Sequence, residues 1–138
     1  MAQQIAAHAS AAGYDIIFTG KETIDYNGAL VGGMIAGLLD LPFISHASKM
    51  TFQGDTAMVT RDIEGGEEEI SLSTPFVISA AKGMAEQRIP NMRGIMSAKT
   101  KPLTVVAPVA AEGLAIHTDF RVPPAKTAVK MVDPGNMD

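Results

Sequence analysis

Apolar and polar positions alternate in blocks along this chain, and each block predicts an element. Residues 2–12 (AQQIAAHASAA) are rich in strong helix formers, with Ile5, Ala9 and Ala12 on one side and Gly13 placed as a C-terminal stop. Asp15-Ile16-Ile17-Phe18-Thr19 is a continuous apolar run closed by Gly20. A run this short between turn residues reads as a strand buried on both faces, as in a parallel sheet. After a polar loop, Leu30, Val31, Met34, Ile35 and Leu38 recur at helical spacing and predict a helix over Gly28–Leu39, with Asn27 as N-cap and Pro42 beyond its end.

The middle changes period. Lys49–Gln53, Thr56–Asp62 and Glu67–Leu72 are extended runs joined by Gly54-Asp55 and Glu64-Gly65-Gly66, which predicts an antiparallel meander at the edge of the main sheet. Pro75 leads into another buried-strand candidate, Phe76–Ala80, and residues 81–90 are irregular. Asn91 caps a short predicted helix over 92–99, and Leu103–Ala107 reads as a last β-branched strand. From residue 108 to 138 the chain carries Pro123, Pro124 and Pro134 and is expected to be an extended tail running over a surface. The fold class that follows is α/β: a partial Rossmann-like parallel sheet with an antiparallel meander excursion, in one domain over residues 1–138. Because it opens on a helix and closes on Val132-Asp133-Pro134-Gly135-Asn136-Met137-Asp138, which packs nothing obvious, the chain reads as part of a larger domain.

Composition narrows the chemistry. With 46% hydrophobic and 19% charged residues the chain is ordinary globular material, and 11 basic against 15 acidic side chains give −4. That charge gives no general attraction to nucleic acid, and the one basic cluster, Arg93, Lys99 and Lys101, has no interleaved aromatics. The absence of cysteine removes disulfides, thiolate chemistry and Cys-ligated metals. No apolar run approaches the roughly 20 residues that cross a bilayer, and the N-terminus has no signal-peptide pattern, so no membrane insertion is expected and a reducing, intracellular setting is. His8, His46 and His117 lie far apart in sequence, so no metal site is expected, and no Ser sits in G-x-S-x-G. The carboxylates Glu64, Glu67, Glu68 and Glu69 surround a turn and read as solvated.

Two segments remain as site candidates. The loop after the first strand comprises Gly20, Lys21, Glu22, Thr23, Ile24, Asp25, Tyr26, Asn27, Gly28, Ala29, Leu30 and Val31. Open α/β sheets bind ligands at the carboxyl ends of their strands, and a helix N-terminus offers free N–H groups to phosphate. Lys21 could add charge, Thr23 and Asn27 polar contacts, and Asp25 an acceptor for a ribose hydroxyl or a turn cap. An ordinary strand-to-helix connection fits the same residues, since no P-loop or complete G-x-G-x-x-G is present. The second segment holds Ile89, Pro90, Asn91, Met92, Arg93, Ile95 and Met96, an apolar protrusion flanked by Arg88 and Arg93. It suits an adaptable docking surface; equally, Ile95 and Met96 could pack beneath the sheet.

Three motifs together resemble one family. Asp15–Asp25 (DIIFTGKETID) resembles the strand and G-K-Q-A-I-D loop of electron transfer flavoprotein beta subunits, and Thr60–Gly66 (TRDIEGG) their R-E-I-D-G-G turn. Glu86–Lys99 (EQRIPNMRGIMSAK) resembles their N-E-P-R-Y…L-x-x-I-M-K-A-K signature, and order and spacing agree from about residue 3 to 132. The resemblance covers the central and C-terminal part of such a subunit, without its N-terminal half, its adenine pocket or its C-terminal helix.

The resemblance implies an electron-carrier subunit rather than an enzyme, cytoplasmic and bacterial, in a heterodimer with the alpha subunit. FAD would sit mainly in that alpha subunit, and the loop matching Gly20–Val31 would wrap the phosphate of AMP. The segment matching Ile89–Ser97 would be the recognition loop for acyl-CoA dehydrogenases of fatty acid β-oxidation, with Met92 at the anchor position, and electrons would pass on to a quinone oxidoreductase. The chain departs from the pattern at Tyr26-Asn27-Gly28-Ala29-Leu30-Val31-Gly32, where many members have D-D-x-N-Q-T-G. It departs also at Met92 in place of leucine, and at Ser97 and Thr100 in place of lysines. A bifurcating member with a second FAD is an alternative, although the D-G-D-T pattern is absent. So is a stand-alone adenine-nucleotide binder.

Overall fold

The computed structural model describes residues 1–129, 131, 132 and 135. The elements run α1 (Ala2–Ala12), β1 (Ile16–Gly20), α2 (Leu30–Leu39), β2 (Phe43–Gln53), β3 (Thr56–Ile63), β4 (Gly66–Ser73), β5 (Phe76–Ala80) and α3 (Met92–Ala98). The five strands form one open sheet in the order β1-β5-β2-β3-β4. β5 is parallel to both β1 and β2, whereas β2, β3 and β4 form the antiparallel meander. The expected α/β sheet with its meander excursion is therefore present.

A glycine ends α1 and an aspartate ends α2. Gly13 (φ 67) and Asp40 (φ 55) take left-handed conformations, and their N–H groups donate to Ala9 O and Ala36 O. The two meander turns use Gly54 (φ 62) and Gly65 (φ 86) where a β-carbon would be strained.

Alternation along the central strands sorts the core into two layers. On one face Val77 and the partly buried Ile17 and Phe43 pack against Ala2, Ala6, Ile35 and Ala36 of the helices. On the other, Phe76, Ile78, Ile44, Ala47, Ala57 and Val59 form a cluster with Ile16, Met50, Ile70, Leu72 and Met84. β5 is buried on both sides, as its apolar run predicts.

The buried stripe of α1 is Ala2, Ala6 and Ala9, not the predicted Ile5, Ala9 and Ala12. Small side chains let α1 approach α2 closely, and the larger Ile5 is displaced to 36% exposure. α2 sits equally close to the sheet: a Cβ at Gly32 would lie 2.7 Å from Thr19 Oγ1 and 2.8 Å from Phe43 Cε2.

β2 is longer than the predicted Lys49–Gln53 because it serves two partners. Phe43 and Ile44 pair in parallel with Val77 and Ile78, and Lys49–Gln53 pair antiparallel with β3. Between them the strand kinks at His46 (φ 56), whose N–H donates to Ser79 Oγ at 3.0 Å rather than into a ladder.

Two expectations fail. Leu103–Ala107 forms no strand: Leu103 is 90% and Val105 87% exposed, because no neighbouring strand offers a ladder there. Asn27 does not cap α2; it occupies a left-handed turn (φ 50), and the helix starts later, with Ala29 at the N-cap position and no side-chain cap. Residues 108–129, 131 and 132 form no helix or strand, and these residues and Gly135 are exposed. The tail touches α1 where Gln4 Nε2 donates to Val109 O and Gln4 Oε1 accepts from Val109 N–H, both at 2.8 Å. Pro134 and the end of the expected tail lie outside the described residues.

Candidate functional site

β1 and β5 are adjacent and parallel, with Gly20 in register with Ala80. The segment after β1 and the segment after β5 therefore leave the sheet side by side from its carboxyl edge, where open α/β sheets place ligands. Both sequence candidates are on these two segments.

The first segment is folded on itself. Thr23 N–H donates to Gly28 O at 3.0 Å, and Gly28 N–H donates to Thr23 Oγ1 at 3.2 Å, so one threonine closes the loop. Tyr26 N–H donates to Asp25 Oδ1 at 2.9 Å, an Asx-type turn. Hydrogen bonding from the Thr23 side chain, then from the Tyr26 backbone, holds the Asp25 carboxyl below its ordinary range. Lys21 is ion-paired with Glu22 at 3.3 Å, with both side chains partly exposed.

Ile24 (99%), Tyr26 (80%) and Leu30 (72%) stand out in solvent. Gly20, Lys21, Glu22, Thr23, Asp25, Asn27 and Ala29 are exposed too, while Gly28 and Val31 are half-buried. Without a side-chain cap, the N–H groups of the first turn of α2, at Leu30, Val31 and Gly32, face the loop with neither an intrahelical nor a capping partner. That set fits a phosphate: backbone donors, the positive helix end and a nearby lysine. It is not a complete nucleotide site, because nothing around the loop encloses a base. The described residues offer no comparable set for a flavin ring.

The second segment runs through residues 81–91 into α3. Asn91 Oδ1 accepts from Gly94 N–H at 2.8 Å, and Ile95 N–H donates to Asn91 O at 3.0 Å, which is the predicted N-cap. No residue of α3 is buried. Ile89 (87%), Met92 (74%) and Met96 (58%) form an apolar protrusion, with Pro90, Arg93 and the less exposed Ile95 alongside. The alternative that Ile95 and Met96 pack beneath the sheet does not hold.

Residues absent from the sequence expectations complete this edge. Ala81, Lys82, Gly83, Ala85, Glu86 and Gln87 line a concavity of about 570 Å³. An adjoining, more apolar hollow of about 510 Å³ is lined by Phe18, Met50, Ala80, Ala81, Met84 and Ala85. Phe18 is 53% exposed although its strand reads as buried on both faces: nothing packs over its face of the sheet beside the hollow. No local signal marks these residues, since the hollow exists only once β5 lies beside β1.

The other candidates stay apart. His8 stacks obliquely on Tyr14, His117 on Phe120, and among the described residues no group of three His, Asp or Glu side chains could hold a metal ion. The acidic hairpin is solvated and partly neutralised by Arg61–Glu68 and Lys49–Glu67 ion pairs. Among the described residues no helix is long and apolar enough to cross a membrane.

The family model described as the electron transfer flavoprotein domain matches residues 1–111. An electron transfer flavoprotein subunit beta from Syntrophomonas wolfei is 36% identical over 120 residues, covering 86% of this chain and 48% of that protein. The mouse subunit beta is 41% identical over 92 residues, 67% of this chain and 36% of the relative. A probable subunit beta from Schizosaccharomyces pombe is 34% identical over 108 residues, 78% and 41% respectively. The chain thus spans less than half the length of these relatives.

Proposed function

The chain belongs to the electron transfer flavoprotein domain family, and from that premise we propose that it serves as a beta-type, non-catalytic subunit that docks electron donors beside a flavin held by an alpha-type partner. One observation carries the reading: two loops of different chemistry leave the paired strands β1 and β5 side by side. One presents backbone donors and Lys21, the other an exposed, capped Met92 helix. An anion site beside an apolar protrusion suits a subunit that holds a nucleotide phosphate and touches a protein partner.

In this reading Gly20–Val31 holds the phosphate of AMP, with Leu30, Val31 and Gly32 N–H groups as donors and Lys21 as the charge. Asp25 does not face the anion productively; its carboxylate is engaged with Thr23 and Tyr26 and stabilises the loop. FAD, bound mainly by the alpha subunit, supplies the electron-carrying chemistry. Met92, with Ile89 and Met96 around it, would insert into an apolar pocket on an acyl-CoA dehydrogenase as electron donor, and a quinone oxidoreductase would be the acceptor. Met92 in place of a leucine conserves volume and should keep such a contact.

Co-purification with an alpha subunit followed by acid extraction tests the nucleotide part. One FAD and one AMP per complex are expected; two FAD and no AMP would replace AMP with a second flavin. Met92→Ala is expected to weaken dehydrogenase docking about tenfold, the loss of roughly 1.4 kcal/mol from a central apolar anchor, with nucleotide content unchanged. Loss of nucleotide in that variant would overturn the assignment of the loop.

A further inference from the structure

Asn27 is the one asparagine of this chain that is followed by glycine; Asn91 and Asn136 are each followed by methionine. A peptide nitrogen can attack the side-chain carbonyl carbon of the asparagine before it, and glycine, having no Cβ, leaves that approach unhindered. Asn27 takes a left-handed conformation (φ 50), and among the described residues no hydrogen bond holds its carboxamide. The nitrogen that would attack is held instead. Gly28 N–H donates to Thr23 Oγ1 at 3.2 Å, and Gly28 O accepts from Thr23 N–H at 3.0 Å. Asn91 is the opposite case, with its Oδ1 engaged by Gly94 N–H at 2.8 Å in the cap of α3.

We propose that Asn27-Gly28 is a site of self-modification, at which the Gly28 nitrogen closes an imide ring on Asn27, and that Thr23 is the residue restraining it. In the first step Gly28 N bonds to Asn27 Cγ and the Cγ–Nδ2 bond breaks, so that ammonia leaves with the proton of the Gly28 nitrogen. Water then opens the ring at either carbonyl carbon. Cleavage at Cγ restores the ordinary main chain with an aspartate at 27. Cleavage at the main-chain carbonyl carbon leaves the chain running through Cβ and Cγ, an isoaspartate. No electrons are transferred, and water is the only co-reactant.

Thr23 restrains the first step from both sides of Gly28. Its hydroxyl engages the N–H that must be given up, and its own N–H fixes the Gly28 carbonyl, so the nitrogen is released only when the loop opens. Either product adds a carboxylate two positions from Asp25. The isoaspartate also lengthens the main chain before Gly28, so that Gly28 no longer meets both partners on Thr23. The reaction remodels the loop that the flavoprotein reading gives to phosphate, but it does not rest on that reading.

Incubation of the full chain in mildly alkaline buffer tests the proposal. Peptide mass spectrometry reads the exchange of NH2 for OH at residue 27, and isoaspartyl methyltransferase labelling reads the isoaspartate. Conversion is expected at Asn27 and not at Asn91 or Asn136. Thr23→Val should convert about threefold to tenfold faster than the parent, the range a single hydrogen bond supports, and Thr23→Ser should stay at the parent rate. Gly28→Ala should lose most of the conversion; its Cβ would meet Thr23 Oγ1 at 3.4 Å, an ordinary contact that leaves the loop in place. If Thr23→Val fails to fold, Thr23→Ala takes its place. Equal rates in the parent and the variant without the hydroxyl would overturn the restraint. No conversion at Asn27 in that variant, or conversion that Gly28→Ala leaves unchanged, would overturn the site.

Discussion

Gly32 and Gly37 stand in the same helix, and alanine at each should move stability in opposite directions. In the interior of a helix, glycine costs about 1 kcal/mol relative to alanine, so substitution alone gains stability. At Gly37 a Cβ meets nothing within 4 Å, and the gain should appear nearly whole, about 0.5–1 kcal/mol. At Gly32 the new Cβ would lie 2.7 Å from Thr19 Oγ1 and 2.8 Å from Phe43 Cε2. Neither atom can retreat freely. Thr19 Oγ1 donates to Ile78 O at 3.3 Å, and the Phe43 ring packs in the layer between α2 and the sheet.

Overpacking of this kind costs about 1–3 kcal/mol, which outweighs the helical gain and leaves Gly32→Ala roughly 1 kcal/mol less stable than the parent. The two variants should therefore differ by about 2 kcal/mol, read as urea midpoints at a common m-value. Equal stability of the two would refute the close approach of α2 to β1 and β2. That approach sets the α2 N-terminus beside the loop proposed to hold phosphate, so if that proposal holds Gly32→Ala should also weaken phosphate binding while Gly37→Ala should not.

Other expectations follow from single contacts. Asn91→Ala removes the acceptor for Gly94 N–H and should destabilise α3 by about 1 kcal/mol; faster amide exchange at Ile95 with an unchanged global melting temperature is the signature, because α3 buries nothing. The folded pKa of Asp25 is lowered, so its contribution to loop order is present above the ordinary value of 3.8 and lost as pH falls through the lower folded value. A carboxyl NMR titration should show that depression, and Thr23→Val should abolish most of it. Asp62 lies directly opposite Glu67 in the β3–β4 ladder; Asp62→Lys replaces a like-charge pair by an opposite one and should raise stability by about 0.2–1 kcal/mol in low salt, with little gain in high salt.

Much of this structure follows from local sequence alone. The Gly13 stop, the Gly54 and Gly65 turns, the Asn91 cap and the apolar run of β5 were legible because each depends on a few neighbouring residues: a left-handed φ, a short acceptor, a stretch that cannot face water. Both candidate loops were legible on the same grounds, as polar or apolar interruptions beside such elements.

Tertiary structure decided what depends on a distant partner. The helix period marks α1, yet only the arrival of α2 selects Ala2, Ala6 and Ala9 over Ile5. The alternating Phe43–Ser48 half of β2 has no strong strand signal and becomes a strand because β5 supplies its ladder. Leu103–Val106 has a strong signal and forms none, because a strand exists only where another strand accepts its hydrogen bonds. Insertion of β5 between β1 and β2 brings the two candidate loops together. Loop chemistry was thus written locally, while adjacency and exposure were set by strand order, since backbone pairing across some 60 positions in sequence leaves no local trace.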